Sequence, residues 1–139
     1  MSIRSTVKAV IIRENKVLLN KCVRHGEIYY NLPGGGQDKY EDMESAVRRE
    51  VMEETSSRIA IISDFRATVK YSPSPGVMKE VVYFLAFTTE ESIKAREGEI
   101  AEVEWVPLEE AENCLTHEND KTVFRAAMER MQHLSFEIK

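Results

Sequence analysis

A chain of 139 residues with 42% hydrophobic and 31% charged residues has the balance of a globular domain, and 1–139 is expected to fold as a single unit. Its net charge of −5 argues against a surface that coats a nucleic-acid duplex, and no apolar run approaches membrane-spanning or signal length. Cys22 and Cys114 lie far apart without metal-ligand spacing, as expected of free thiols in a reducing, cytoplasmic setting.

The β-branched segment 3–13 predicts a strand, Glu14 and Asn15 a turn, and 16–23 the returning strand of a hairpin. A short aromatic strand, 28–32, is stopped by Pro33. Gly34, Gly35 and Gly36 then predict a loop that a ligand can approach closely. Residues 44–55 predict a helix with Ala46, Val47, Val51 and Met52 as its buried stripe. A strand over 58–69 is followed by the SPSPG loop at 72–76 and by a central strand at 80–88. A charged connection at 90–98 leads to an alternating strand at 100–106, with Val103 and Trp105 inward, and helices follow at 107–115 and about 118–132. The expected order β–β–β–α–β–β–β–α–α gives an α/β fold, a mixed sheet covered by helices.

The chemistry is concentrated in 35–57, GGQDKYEDMESAVRREVMEETSS. Glu50, Glu53 and Glu54 stand at i, i+3 and i+4, which sets three carboxylates on one helix face. Such a cluster makes sense if a hard divalent cation neutralises it, and oxygen-only donors favour Mg²⁺, with Mn²⁺ an alternative. The glycine run and the adjoining helix start favour an anion. Arg48 or Arg49 can pair with a carboxylate and hold its rotamer.

These residues resemble the Nudix box, G-x5-E-x7-R-E-U-x-E-E-x-G-U with U bulky and apolar. Gly35, Glu41, Arg49, Glu50, Val51, Glu53 and Glu54 fall on it in register. The flanking VKAVIIRENKVLLN, YYNLPGG and IAEVEWVPLEEA are similar to the family as well, so the likeness covers nearly the whole chain. It implies a Nudix α/β/α sandwich and a pyrophosphohydrolase. Glu50, Glu53 and Glu54 would bind metal, with the carbonyl of Gly34 contributing. Arg49 would orient a glutamate, and Glu41 would support the loop or the metal waters. Gly35, Gly36 and Glu41 would face substrate, joined by Arg24 and Tyr30 from their nearness to the glycine run.

An acid from another segment is also expected, because three metal-bound glutamates do not comfortably serve as general base too. Among Glu97, Glu99, Glu102 and Glu104, the choice falls on Glu99, at the loop-to-strand junction, while Glu102 and Glu104 share the outward parity. Ser56 and Ser57 depart from the box. Ser56 stands where glycine ends the helix in a left-handed conformation, and Ile59 and Ile61 would take over the apolar role at Ser57. Trp105, Val103 and Tyr83 are expected in the core, and His25, His117 and His133 in solvent. The expected substrate is a small nucleotide-like diphosphate, whether a triphosphate, ADP-ribose, a nucleotide sugar or a dinucleoside polyphosphate. A non-catalytic Nudix sensor is the alternative, and a homodimer is compatible with either.

Overall fold

In the computed structural model, β1 (Ser2–Arg13) turns through Glu14 and Asn15, both with positive φ (47° and 63°), into β2 (Lys16–Arg24). Residues 2–89 and 102–138 are described, with side chains over 5–89 and 102–132. Glu97 and Glu99, and the 90–98 connection, lie outside them. A left-handed pair at both turn positions matches the twist of the flanking strands.

β1 and β2 pair only next to that turn, at Ile12↔Val17 and Arg13↔Lys16. Beyond it they take different partners. β2 pairs with β3 (Glu27–Asn31), Asn20 opposite Asn31. β1 pairs with β4 (Gly34–Gly36), Val7 opposite Gly35. The segment β3–Leu32–Pro33–β4 therefore fills the fork between two diverging strands. The glycines expected as loop are ladder residues instead, because β1 offers them an edge and Pro33 accepts a bond from Ala9 N.

β6 (Val77–Phe87) runs parallel to β1 and antiparallel to β5 (Ala60–Ser74), so it is central as predicted. The expected SPSPG loop shrinks to a turn at Pro75 and Gly76. Pro73 is tolerated because β5 ends the strand order and its register is broken between Tyr71 and Ser74. β7 (Glu102–Pro107) lies along β2. The helices are α1 (Met43–Thr55), α2 (Leu108–Cys114) and α3 (Glu118–Ile138).

Strand alternation sends side chains into two apolar cores, one on each face of the sheet. On one face Ala46, Val47 and Val51 of α1 pack against Val7, Leu18, Val82 and Phe84, with Trp105 and Val103 partly buried beside them. On the other, Val123, Phe124 and Ala127 of α3 pack against Val10, Leu19, Val81 and Leu85. This is the helix–sheet–helix sandwich expected. Met52, predicted in the buried stripe, is 39% exposed; the stripe of α1 is narrower than its composition suggested. No described helix is long and apolar enough to cross a membrane.

Candidate active site

α1 starts on Asp42, whose carboxylate accepts from Ser45 N at 2.8 Å, and ends on Ser56 in the left-handed region (φ 63°). This is the conformation expected where the box has glycine. Ser57 is fully buried, and Ile59 and Ile61 pack with the core of that face as anticipated.

The helix presents its carboxylates to the fork. Arg49 is the hub. Its Nε and Nη2 grip both oxygens of Glu41 at 2.8 and 2.9 Å, its Nη1 reaches Glu50 at 2.9 Å and Glu53 at 3.2 Å, and Nη2 also donates to the Gly36 carbonyl at 2.9 Å. Bonding to Arg49, with a further bond from Asp38 N, holds the Glu41 carboxyl down at about 2. The Glu41 carboxylate in turn holds the Arg49 guanidinium firmly charged. Arg48 serves otherwise, bonding the Ile59 carbonyl at 2.9 Å.

Glu54 bonds to β2 and to the glycine segment. It is 7% exposed and takes two bonds on one oxygen, from Asn20 Nδ2 at 3.0 Å and Gly34 N at 2.9 Å. Glu50, Glu53 and Glu54 thus share one helix side, yet no three acidic, His or Cys side chains converge on a point among the described residues. Gly34 touches this group through its N–H, which donates to Glu54. The glycines are needed for closeness. A Cβ on Gly34 would collide with the Val7 carbonyl, and one on Gly35 with the Glu50 carboxylate.

Glu54, Gly34, Gly35 and Gly36 border a cavity of about 630 Å³. Arg24 lines it too. Tyr30 does not: its ring packs on the α3-side core, and its backbone pairs with Thr116. Its cross-strand partner is Lys21, so it has the parity opposite to Asn20, Cys22 and Arg24, the β2 residues of the cavity wall.

Several cavity residues carried no signal in the sequence. Asp120, in the first turn of α3 and 1% exposed, accepts from Lys8 Nζ (3.1 Å), Tyr83 Oη (2.7 Å) and Leu32 N (3.3 Å). Burial, then the Asp120 carboxylate, pushes the Tyr83 phenol well above its usual range. His117, expected as a solvated residue, is exposed but borders the cavity, its ring nearly parallel to that of Tyr29 (8°) at 6.5 Å. The acid of Asp120 and the base of Lys8 lie 112 residues apart, and only the folded sheet reveals them as a pair.

Comparison with known proteins agrees with this fold. RNA pyrophosphohydrolase of Pelagibacter ubique is 26% identical, over 78% of this chain and 79% of that protein. The solved Caenorhabditis elegans Ap4A hydrolase binary complex superposes with a TM-score of 0.81 at 22% identity, covering 94% of this chain and 98% of the other. The NUDIX domain of Shewanella oneidensis NrtR, complexed with ADP-ribose, gives 0.75 at 22% identity, covering 94% and 90%. The NUDIX domain profile matches residues 2–127; the chain belongs to that family.

Proposed function

We propose that this protein is a divalent-cation-dependent pyrophosphohydrolase whose substrate is a nucleoside diphosphate linked to a further group. The observation that carries the reading is the carboxylate arrangement around Arg49. One guanidinium serves Glu41, Glu50 and Glu53, and the buried Glu54 stands one turn away. Carboxylates outnumber the guanidinium at this hub, and all offer hard oxygens, a donor set that suits Mg²⁺ or Mn²⁺. Glu50, Glu53 and Glu54 would hold the cation, with Gly34 beside them. When bound, such an ion polarises a phosphoryl oxygen and offsets developing charge.

The chain's own groups account for the rest. Arg24 and Lys79 bring positive charge to the cavity, where Lys8 is already paired with Asp120, and such charge favours a phosphate chain inside a protein of net negative charge. The near-parallel rings of Tyr29 and His117 offer flat surfaces for a base. In the reaction a water oxygen bonds to phosphorus as the bond to the bridging oxygen breaks. The water's proton passes to a carboxylate, and the leaving phosphate departs as the anion. Glu53, Glu54 and, from the sequence, Glu99 are the candidate acceptors of that proton, with Arg49 fixing the first-named side of the site.

A screen of phosphate and nucleotide release tests the reading. Its panel comprises nucleoside triphosphates, ADP-ribose, nucleotide sugars, dinucleoside polyphosphates and 5′-triphosphorylated RNA, with Mg²⁺ or Mn²⁺. Hydrolysis of at least one class, abolished by chelation, is the expected result. Tight binding without turnover across the panel would favour the sensor alternative. A matched pair, Glu99→Gln and Glu97→Gln, decides the outer acid: the first is expected to lower kcat by ~10²-fold, the scale of a general base, and the second to leave it unchanged.

A further inference from the structure

We infer that Asp120 is a positioning residue for the hydrolytic centre. By accepting from Leu32 N it sets the segment Leu32–Pro33–Gly34, and with it the Gly34 amide that fixes the Glu54 carboxylate. The inference rests on the hydrolase reading above.

Three successive residues each bond to a different element. Leu32 N donates to Asp120 in the first turn of α3 at 3.3 Å, the Pro33 carbonyl accepts from Ala9 N of β1 at 2.9 Å, and Gly34 N donates to Glu54 of α1 at 2.9 Å. The proline between the two donors has a fixed φ and no N–H of its own. A shift at Leu32 N is therefore passed on to Gly34 N. A second route runs through Lys8, the cross-strand partner of Gly34. Its stem lies against that glycine, where a Cβ would come within 2.9 Å of the Lys8 Cγ. Its ammonium then returns to both Asp120 oxygens, at 3.1 and 3.2 Å. Asp120 thus reaches Gly34 along the chain and across the ladder.

One buried amide hydrogen needs one acceptor, and a neutral side chain supplies that without burying a charge. Here the carboxylate is 1% exposed and takes donors from three segments: Lys8 of β1, Tyr83 of β6 and Leu32. The Lys8 ammonium matches its charge. Docking α3 onto the sheet requires only the bonds to the two strands. The bond to Leu32 is the one directed along the chain toward Glu54, so the docking role and the positioning role can be separated. Tyr83→Phe takes a donor from Asp120 but leaves Leu32 held. Removing the carboxylate releases Leu32 as well.

The test pairs steady-state kinetics with amide hydrogen exchange, read by NMR on metal-free protein without substrate. In Asp120→Ala the Gly34 amide should exchange about 10-fold faster relative to the β6 amides, which report global opening, and kcat should fall about 10-fold with KM within about twofold, the scale of losing a group behind a metal ligand. Tyr83→Phe should change neither the relative exchange of Gly34 nor kcat by more than about twofold. Asp120→Asn keeps an oxygen for Leu32 N and can donate to the Tyr83 oxygen, so kcat should return to within about threefold of wild type. If Asp120→Ala does not fold, Lys8→Met combined with it carries the same test, since no ammonium is then left without its partner. Gly34 exchange that rises only in step with the β6 amides overturns the inference. So does an equal loss of kcat in Tyr83→Phe, which would mean that docking of α3 is all that matters, and so does a loss carried by KM alone. If wild type hydrolyses no compound in the panel, the hydrolase reading fails by itself, while the exchange comparison still decides whether Asp120 sets the Gly34 amide.

Discussion

Arg49 closes on both oxygens of Glu41, at 2.8 and 2.9 Å, from eight residues further along the chain. This bidentate pair ties the segment before α1 to the helix itself, and the remaining guanidinium nitrogen spans Glu50 and Glu53. Lysine offers one compact ammonium in place of that planar fork. Arg49→Lys is therefore expected to lower kcat by ~10- to 100-fold, the usual cost of losing a group that orients ligands, with a smaller effect on KM. Steady-state kinetics check it.

The same pair has an acid signature. The Glu41 carboxyl titrates at about 2 when folded, below its ordinary 4.5. Its contribution to stability is then complete above about pH 4.5 and is lost as pH falls through about 2. Glu41→Gln should flatten that part of the stability-against-pH curve, measured by urea unfolding between pH 2 and 5. An unchanged slope would show that the pair does not survive in solution.

Glu54→Gln keeps an oxygen that can accept from Asn20 and Gly34 but removes the charge. The fold should persist, with a melting temperature close to wild type, while turnover falls by ~10²-fold or more. Glu50→Gln should behave alike, because its carboxylate already has a bond from Arg49. Wild-type rates at saturating Mg²⁺ in either variant would remove that residue from the mechanism.

The hub was legible in the sequence because its parts are local. A helix and an i, i+3, i+4 spacing follow from short-range geometry, and Glu41, Arg49 and Glu50 lie within ten residues. The hairpin turn, the helix end at Ser56 and the central strand were legible for the same reason. Asn20, Lys8 and Asp120 were not, since their roles come from strand pairing and from α3 crossing the sheet. The glycine run misled in form only. Three glycines signal a loop, yet β1 continued far enough to capture them as β4. Tyr30 lies near the glycines in sequence, but strand parity turns it to the core.

The two serines after α1 separate cleanly into strain and desolvation. Ser56 adopts φ 63°, so Ser56→Gly relieves left-handed strain and is expected to gain up to about 1 kcal/mol. Ser57 is fully buried and its hydroxyl has no partner among the described residues. Ser57→Ala should therefore stabilise by about 1 kcal/mol as well. Chemical denaturation decides both. Destabilisation by Ser57→Ala would show that the hydroxyl is satisfied in solution.

Tyr83 offers the last prediction, at the alkaline end. Its hydroxyl donates to the buried Asp120 at 2.7 Å while its ring is 1% exposed. Burial and the neighbouring carboxylate both favour the neutral phenol, so its pKa rises on folding. The unfolded chain loses this proton near the ordinary value of 10, whereas the folded chain keeps it. The stability that Tyr83 contributes is thus fully present below about pH 10 and declines as pH rises above it, toward the raised folded value. Tyr83→Phe keeps the ring packing and removes the titrating group, so the decline attributable to this residue should vanish. At neutral pH the variant pays a different cost, because Asp120 loses one donor and retains Lys8 Nζ and Leu32 N; about 1 kcal/mol is expected. The wild-type and variant stability curves should therefore converge between neutrality and pH 11. Parallel curves over that range would mean that the Tyr83 phenol titrates alike in the folded and unfolded chain.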